Sequence, residues 1–556
     1  MSKLTLALRY WHTLRHLKLV QLYGRVRFRL ARPKVSPALP PTRRLQTGLW
    51  CLPSARSPSL LGLGVFRFLS ENGDLFADGW DNPAREKLWR YNQHYFDDLN
   101  AYGAAERVDW HYKLIDNWII NNPPGRGTGW EPYPTSLRIV NWIKWSLAGN
   151  ALPGAVLHSL AIQVRWLRKR LEWHLLGNHL FVNAKALIFA GNFFDGREAR
   201  QWRDLGFSIL EREFPEQILP DGGQFELSPM YHALAVEDIL DRVNVSGCYS
   251  PELTDHQSSQ VKDWRNRVPK MMHWLDVMCH PDGEIAFFND AAIGIAPNKR
   301  ELADYARRLD IEVVSTVRRL VWLKSSGYVR LTNGLATVIA DVARVGPDYL
   351  PGHAHADTLS FEFSLGLRRI IVNSGTSVYG VGLERLYQRS TAAHSTLVVD
   401  QRDSSEVWGG FRVARRARPF DVNVHNEGAM LALQAAHDGY ARLLGSPIHR
   451  RRWVLEEGSV RIIDEVTGVG WHRADILFHL APGVVPHKLS SGEVMLSGHH
   501  LHAGPVVCRS TAASVAIEQS TWHPEFGVSE ENFRLCITLI GNLPLKHEMI
   551  FCWESS

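Results

Sequence analysis

Residues 352–363, "GHAHADTLSFEF", place His353 and His355 one residue apart and Asp357 two residues further on, at the head of an alternating apolar run. If the stretch is already extended, side chains alternate with period two, so both histidines lie on one face. Two imidazoles on one face can share a substrate or a metal. A zinc ion needs a third protein ligand and sometimes a fourth. Asp357, Asn373 in "IIVNSGTSVYG" and His394 in "TAAHSTLVVD" are the candidates in the same half of the chain.

Other stretches carry similar chemistry. "LLGNHLFVNAKAL" opens a helix with Asn178 and His179 and places Asn183 one turn on. Asn178 is either a helix cap or a donor, because Asn is favoured at both jobs. In "DGGQFELSPMYHALAVEDIL", Ser228-Pro229 predicts a helix start whose first turn presents Tyr231 and His232. "GWEPYPTSLRIVNWIKW" offers Trp130, Glu131, Tyr133, Arg138, Asn141 and Trp142, with Arg138 able to grip a carboxylate through its two-pronged guanidinium. Asn92, His94, Arg138, Gln224, Glu226, Tyr379, Arg389, Trp408, Arg412 and Tyr440 fall in polar-aromatic stretches of the kind that bind sugars. Each is a candidate for substrate binding, with an ordinary structural role as the alternative.

The elements that must position these residues change character along the chain. Residues 1–80 read as a basic helix followed by an irregular Pro/Ser/Gly-rich segment. Residues 81–320 show apolar positions at helical spacing, as in "HSLAIQVRWLRKRLEWHLL", separated by turn clusters such as "NNPPGRGTGWEPYP". Many consecutive helices of moderate length predict stacked helical hairpins. Residues 321–556 consist of short β-rich runs with Gly, Asn and Asp breaks, the pattern of an antiparallel sandwich. Helices first and strands after make an α+β multidomain chain, and the seam between the domains is the expected site.

Composition narrows the function. The chain has 556 residues, 45% hydrophobic and 22% charged, which is ordinary for a globular protein. A net charge of +6 suits an anionic substrate. No nucleic-acid motif, P-loop or dinucleotide fingerprint occurs. The six cysteines show neither CxxC nor disulfide-framework spacing. The first acidic residue is Glu71, and arginines and lysines interrupt the opening stretch too often for a signal peptide. It predicts a basic amphipathic helix that docks on the body or lies on an anionic surface. The expected compartment is cytoplasmic or membrane-peripheral, with a periplasmic location open, and no run is apolar enough to span a bilayer.

Six stretches in order, "GNHLFVNAKAL", "DGGQFELSPMYH", "FFNDAAIG", "GHAHADTLSFEF", "NSGTSVYG" and "QRSTAAHSTLVVD", resemble the heparinase II/III family of polysaccharide lyases, whose relatives include oligoalginate lyases. The resemblance implies an incomplete (α/α) toroid followed by an antiparallel β-sandwich, with the substrate between them. It implies β-elimination on an anionic polysaccharide or oligosaccharide containing uronic acid. In that scheme Asn178 and His179, helped by His353, neutralise the uronate carboxylate, and Tyr231 is the catalytic tyrosine. Tyr231 then serves as acid and base, or shares the work with a histidine; as a base it needs a lowered pKa, which cationic neighbours favour. The resemblance also implies a structural zinc on His355 and His394, with no organic cofactor. Asn373 stands where the family usually has an aspartate, and a neutral amide is the poorer zinc ligand.

Two rival readings use the same scaffold. A glycoside hydrolase needs two carboxylates flanking the bond, which Glu131, Glu226 and Asp221 could supply. A non-catalytic polysaccharide-binding protein of an exopolysaccharide system needs only the cleft.

Overall fold

The computed structural model describes residues 3–314, 317–498, 504–512 and 514–554. Helices dominate to Arg308, and from Leu320 to Cys552 the regular structure is almost entirely strand. The opening segment departs from the expected single helix and irregular run. It forms two helices, Lys3–Leu14 and Leu19–Leu30, and a small three-stranded sheet from Leu60–Gly62, Val65–Phe68 and Glu71–Asp74.

The helical domain is held by one large apolar cluster that includes Trp118, Trp142, Trp145 and Trp202. Helix Gly177–Phe193 runs through it with nearly every side chain buried, and packs on helices Pro132–Leu147 and Arg197–Gln217. That explains why its sequence is apolar on all sides instead of striped. Helix Pro229–Cys248 packs against Asp255–Met278 and against the same central helix.

The second domain is two antiparallel sheets, one of eight strands and one of nine, that share a single core containing Phe361, Trp453, Phe478 and Phe551. Strand Ser459–Thr467 alternates half-buried and buried along its length, as expected of a sheet with one face on the core. Residues 279–295 join the domains. Trp274 and Phe288 pack on Tyr328 of the first sheet domain strands, while Phe287 and Met230 pack with Phe526. Among the described residues, no helix is long and apolar enough to cross a membrane.

Candidate active site

Two helix starts and two loops meet at this seam. Helix Gly177–Phe193 begins after a sharp turn in which Gly177 has φ +52°, and a Cβ there would lie 2.2 Å from the Leu350 side chain. Only glycine fits both demands. Asn178 and His179 follow in the first turn, so Asn178 lies inside the helix and is not its cap. Helix Pro229–Cys248 starts as predicted: Ser228 caps it by accepting the Tyr231 N–H at 3.2 Å, with Pro229 in the first position.

The histidine loop corrects the expectation of a strand. Regular pairing begins only at Phe361, and residues 353–360 form a loop. What orients the two histidines is the turn at Asn289-Asp290. Asn289 sits at φ +57°; its N–H donates to Asp357 Oδ2 (3.0 Å) and its Oδ1 accepts the His355 N–H (3.1 Å). The Asp290 N–H donates to the His353 carbonyl at 2.9 Å. Asp357 is therefore a positioning carboxylate.

Asp290 is the centre of the site. It is fully buried and takes Arg385 on both oxygens, His353 Nδ1 at 2.8 Å and His355 Nε2 at 2.8 Å. Burial alone would raise its pKa, but Arg385 and the two imidazoles hold it well below the usual carboxylate range. An ionised carboxylate accepts only, so His353 presents a protonated Nδ1 to it, and its Nε2 is the nitrogen left on the cleft side. The His353 side chain is 15% exposed and that of His355 1%. One faces the cleft and the other faces inward.

Tyr231 lies over His353, with ring centroids 4.0 Å apart, and its hydroxyl meets the Tyr379 hydroxyl at 2.9 Å. Burial raises the Tyr231 pKa well above 10, and Tyr379, Tyr133 and Asp290 add to the shift. The lowered pKa expected of a tyrosine base is therefore absent, and Tyr231 stands as a neutral phenol. Glu226 links the two domains. Its Oε2 is 3.7 Å from His353 Nε2, and its Oε1 accepts the Asn178 N–H at 3.3 Å. His179 Nδ1 meets Glu172 at 3.1 Å, and its ring packs 4.8 Å from that of Tyr133. Burial disfavours the charged form of His179, but Glu172 and Glu226 outweigh it and raise the pKa. The site thus offers a cleft-side imidazole nitrogen, a protonated phenol, an amide and an imidazole whose charged form neighbouring carboxylates favour.

Burial takes His94, Arg138, Tyr440 and Arg389 out of reach of a substrate, and other candidates are held by local contacts. His94 is enclosed between Trp80 and Trp118, accepts the Trp118 indole N–H at 3.0 Å, and is pushed down to about 3 by burial. Arg138 is enclosed over the Trp118 ring, bonded to Gln163 and to the His94 carbonyl, and cannot grip a substrate. Tyr440 is enclosed in the sandwich core, donating to the Leu397 carbonyl. Arg389 is enclosed behind the histidine loop, donating twice to the Ala354 carbonyl. Gln224 braces Glu226 within a buried turn, and Asn92 bonds back to its own helix at the Leu88 carbonyl. Trp408 and Arg412 pack on each other and on Tyr10 of the first helix. Of this group, Glu226 and Tyr379 touch the Tyr231–His353 pair. The sequence reading missed Asp290, Arg385 and Glu172. Asp290 lay in view, in "FFNDAAIG", as a charge ending an apolar run.

The expected zinc ligands come together in part. His355 Nδ1 lies 3.1 Å from His394 Nε2, and His394 Nδ1 bonds the Ser390 carbonyl. Asn373 turns away, its amide nitrogen on the Phe287 carbonyl and its oxygen on the Ser395 N–H. Among the described residues, no third acidic, thiolate or imidazole group completes the pair. The residues present do not fit a zinc ion, which takes at least three protein ligands.

Family models for the heparinase II/III N-terminus and the heparinase II/III-like C-terminal domain match residues 81–308 and 315–543. A heparin-sulfate lyase from Bacteroides stercoris is 25% identical over 315 residues, 52% of this chain and 44% of that protein. One from Pedobacter heparinus is 27% identical over 342 residues, 53% of this chain and 48% of that protein. The matches thus span less than half the length of these relatives. Among solved structures, heparinase III superposes with a TM-score of 0.66 at 17% identity, covering 84% of this chain and 77% of that one. A heparan sulfate lyase from Pedobacter heparinus superposes at 0.60 and 18%, covering 97% and 88%. These likenesses establish the fold, a helical toroid followed by a sheet domain.

Proposed function

The chain belongs to the heparinase II/III family, and on that premise we propose that it is a polysaccharide lyase that cleaves an anionic, uronic-acid-containing glycan by β-elimination. The observation that carries the reading is the Asp290-oriented imidazole of His353 packed on the protonated Tyr231.

The reaction must remove a proton from C5, α to a carboxylate that is a poor electron sink until its charge is neutralised. Asn178 supplies a donor and His179 an imidazole whose positive form Glu172 and Glu226 favour, on one side of the cleft. His353 Nε2 takes the C5 proton. The C–H electrons form the C4–C5 double bond, the C4–O bond breaks, and the departing oxygen takes the Tyr231 proton. Solvent then removes the proton from His353 and restores that of Tyr231. The raised pKa of Tyr231 favours the acid role, which assigns the base role to His353. Asp290 and Arg385 act through His353 as positioning residues.

His355 and His394 serve, in this reading, as a hydrogen-bonded pair that braces the loop without zinc. The hydrolase alternative loses two of its three acids: Asp221 accepts from Ser326 and Gly223 in a turn, and Glu131 is paired with Lys87 and Tyr91. The test is the ultraviolet absorbance of the unsaturated uronate over a panel of acidic polysaccharides. A signal from wild type that vanishes in Tyr231→Phe supports elimination. New reducing ends without absorbance mean hydrolysis, and binding without either product means a binding protein.

A further inference from the structure

The two N-terminal helices have their polarity reversed. Helix Leu19–Leu30 touches the body through Gln21, Gly24 and Phe28, which share one face. Gln21 donates to the Tyr349 carbonyl, Gly24 lies directly on the His174 backbone, and Phe28 packs 4.2 Å from the His174 ring. The opposite face carries Leu19, Leu22, Tyr23, Val26 and Leu30 at helical spacing, all exposed, Leu19 to 84% and Leu30 to 75%. Helix Lys3–Leu14 behaves alike. Tyr10 and Thr13 meet Trp408, while Leu4 and Trp11 are 71% and 64% exposed. Amphipathic helices bury their apolar stripe unless something else covers it.

Charge identifies the cover. Arg25 and Arg29 border the stripe on one side and Arg27 on the other, and no acidic residue precedes Glu71. Beside this helix lies a cavity of about 630 Å³, lined by Arg27, Arg32, Arg165, Arg168 and Lys169; its one carboxylate, Glu198, is paired with Arg165. A second copy of this segment would oppose cation to cation. A polyanionic glycan would satisfy the arginines but has nothing to offer the leucines.

We propose that the N-terminal hairpin docks on an anionic phospholipid surface, its outward stripe entering the boundary between headgroups and acyl chains and its arginines and the basic cavity taking lipid phosphates. The dock lies at the rim of the cleft: Trp408, on which the first helix sits, neighbours Phe411, whose ring is 6.3 Å from that of His353.

The full chain is sedimented with vesicles of phosphatidylcholine alone or equimolar with phosphatidylglycerol. Wild type is expected to pellet with the mixed vesicles and to be released by high salt. Leu19→Ser/Val26→Ser/Leu30→Ser, which alters only exposed side chains, is expected to stay in the supernatant. Arg25→Gln/Arg29→Gln is expected to weaken binding by about tenfold or more. Wild type remaining soluble beside the mixed vesicles overturns the proposal. So does a stripe variant that still pellets. A stripe variant that changes only the mass of the free protein in solution assigns the face to self-association. One that changes only retention on an immobilised acidic polysaccharide assigns it to glycan. None of these readouts uses turnover, so the outcome stands apart from that of the lyase reading.

Discussion

Two buried charge clusters in this molecule look alike and differ in one respect. In the helical domain, Asp241 is fully enclosed and bridges Lys144 and Lys185 at 2.5 Å each, with Asp238 on Lys185 and Glu237 on Arg56. At the seam, Asp290 is equally enclosed and bridges Arg385 and two histidines. In both, cationic partners keep a buried carboxylate ionised against the cost of burial. The Asp241 cluster lies among helices with its two lysines and three carboxylates enclosed, and only Arg56, from a loop outside the helices, is part-exposed. The seam cluster hangs on loops and the short helix Leu383–Gln388, and one member, His353, keeps a nitrogen toward the cleft. Charge stabilisation by itself makes a brace, and an open edge turns the brace into a site.

The comparison can be broken by substitution. Tyr231→Phe and His353→Ala are expected to lower turnover by about 10²–10⁴-fold with the thermal transition nearly unchanged, since each sits at the open edge. Wild-type turnover in either would sink the assignment of acid and base. Asp241→Asn deprives buried Lys144 of its close carboxylate and leaves Lys185 with Asp238 alone. It should cost about 3–5 kcal/mol in chemical denaturation while turnover per folded molecule holds. If the folded fraction of that variant is inactive, the two clusters are not separable. Asp290→Asn should lose both stability and turnover, and a loss of stability alone would remove His353 orientation from the mechanism.

Smaller effects sharpen the picture through pH. The His179 pKa is raised, so its positive charge is complete at low pH and is lost as pH climbs through that raised value. Turnover should therefore fall on the alkaline side, and Glu172→Gln should move that limb to lower pH. An unmoved limb would mean that His179 does not carry the charge. His94 and His232 behave oppositely, for burial pushes both down to about 3. Their contribution to stability is present above the unfolded value of 6.5 and fades as pH falls below it, so the melting temperature should drop with acid in that window. The smallest effect is expected from metal removal. Dialysis against EDTA should change neither melting temperature nor turnover, and stoichiometric zinc in the purified protein would show that His355 and His394 hold an ion after all.

Parts of the site were legible because they are local. Ser228-Pro229 capping a helix and presenting Tyr231 depends on adjacent residues only, and the structure keeps it. The switch from helices to strands was equally plain, because periodicity is a local property. Arg138 and His94 misled for the opposite reason. A polar residue in an aromatic stretch looks the same whether its neighbours cover it or leave a face open, and here Trp118 covers both. The same holds for the apolar stripe at residues 19–30, whose spacing marks a helix face but not which side of it meets the body.

The sequence by itself determined the order of a helical half followed by a strand-rich half, and the capped start of the helix that presents Tyr231. Their period, caps and breaks are written in neighbouring residues. Only tertiary structure supplies the physical reason that His353 faces the cleft and His355 faces inward, as the family resemblance implies. His353 and His355 are two residues apart in one loop, and what separates them is Asp290, more than sixty residues earlier in the chain. That carboxylate binds one imidazole through Nδ1 and the other through Nε2, and so leaves one nitrogen open to the cleft and buries the other ring. No local pattern encodes that choice, because it depends on which distant turn the loop folds against.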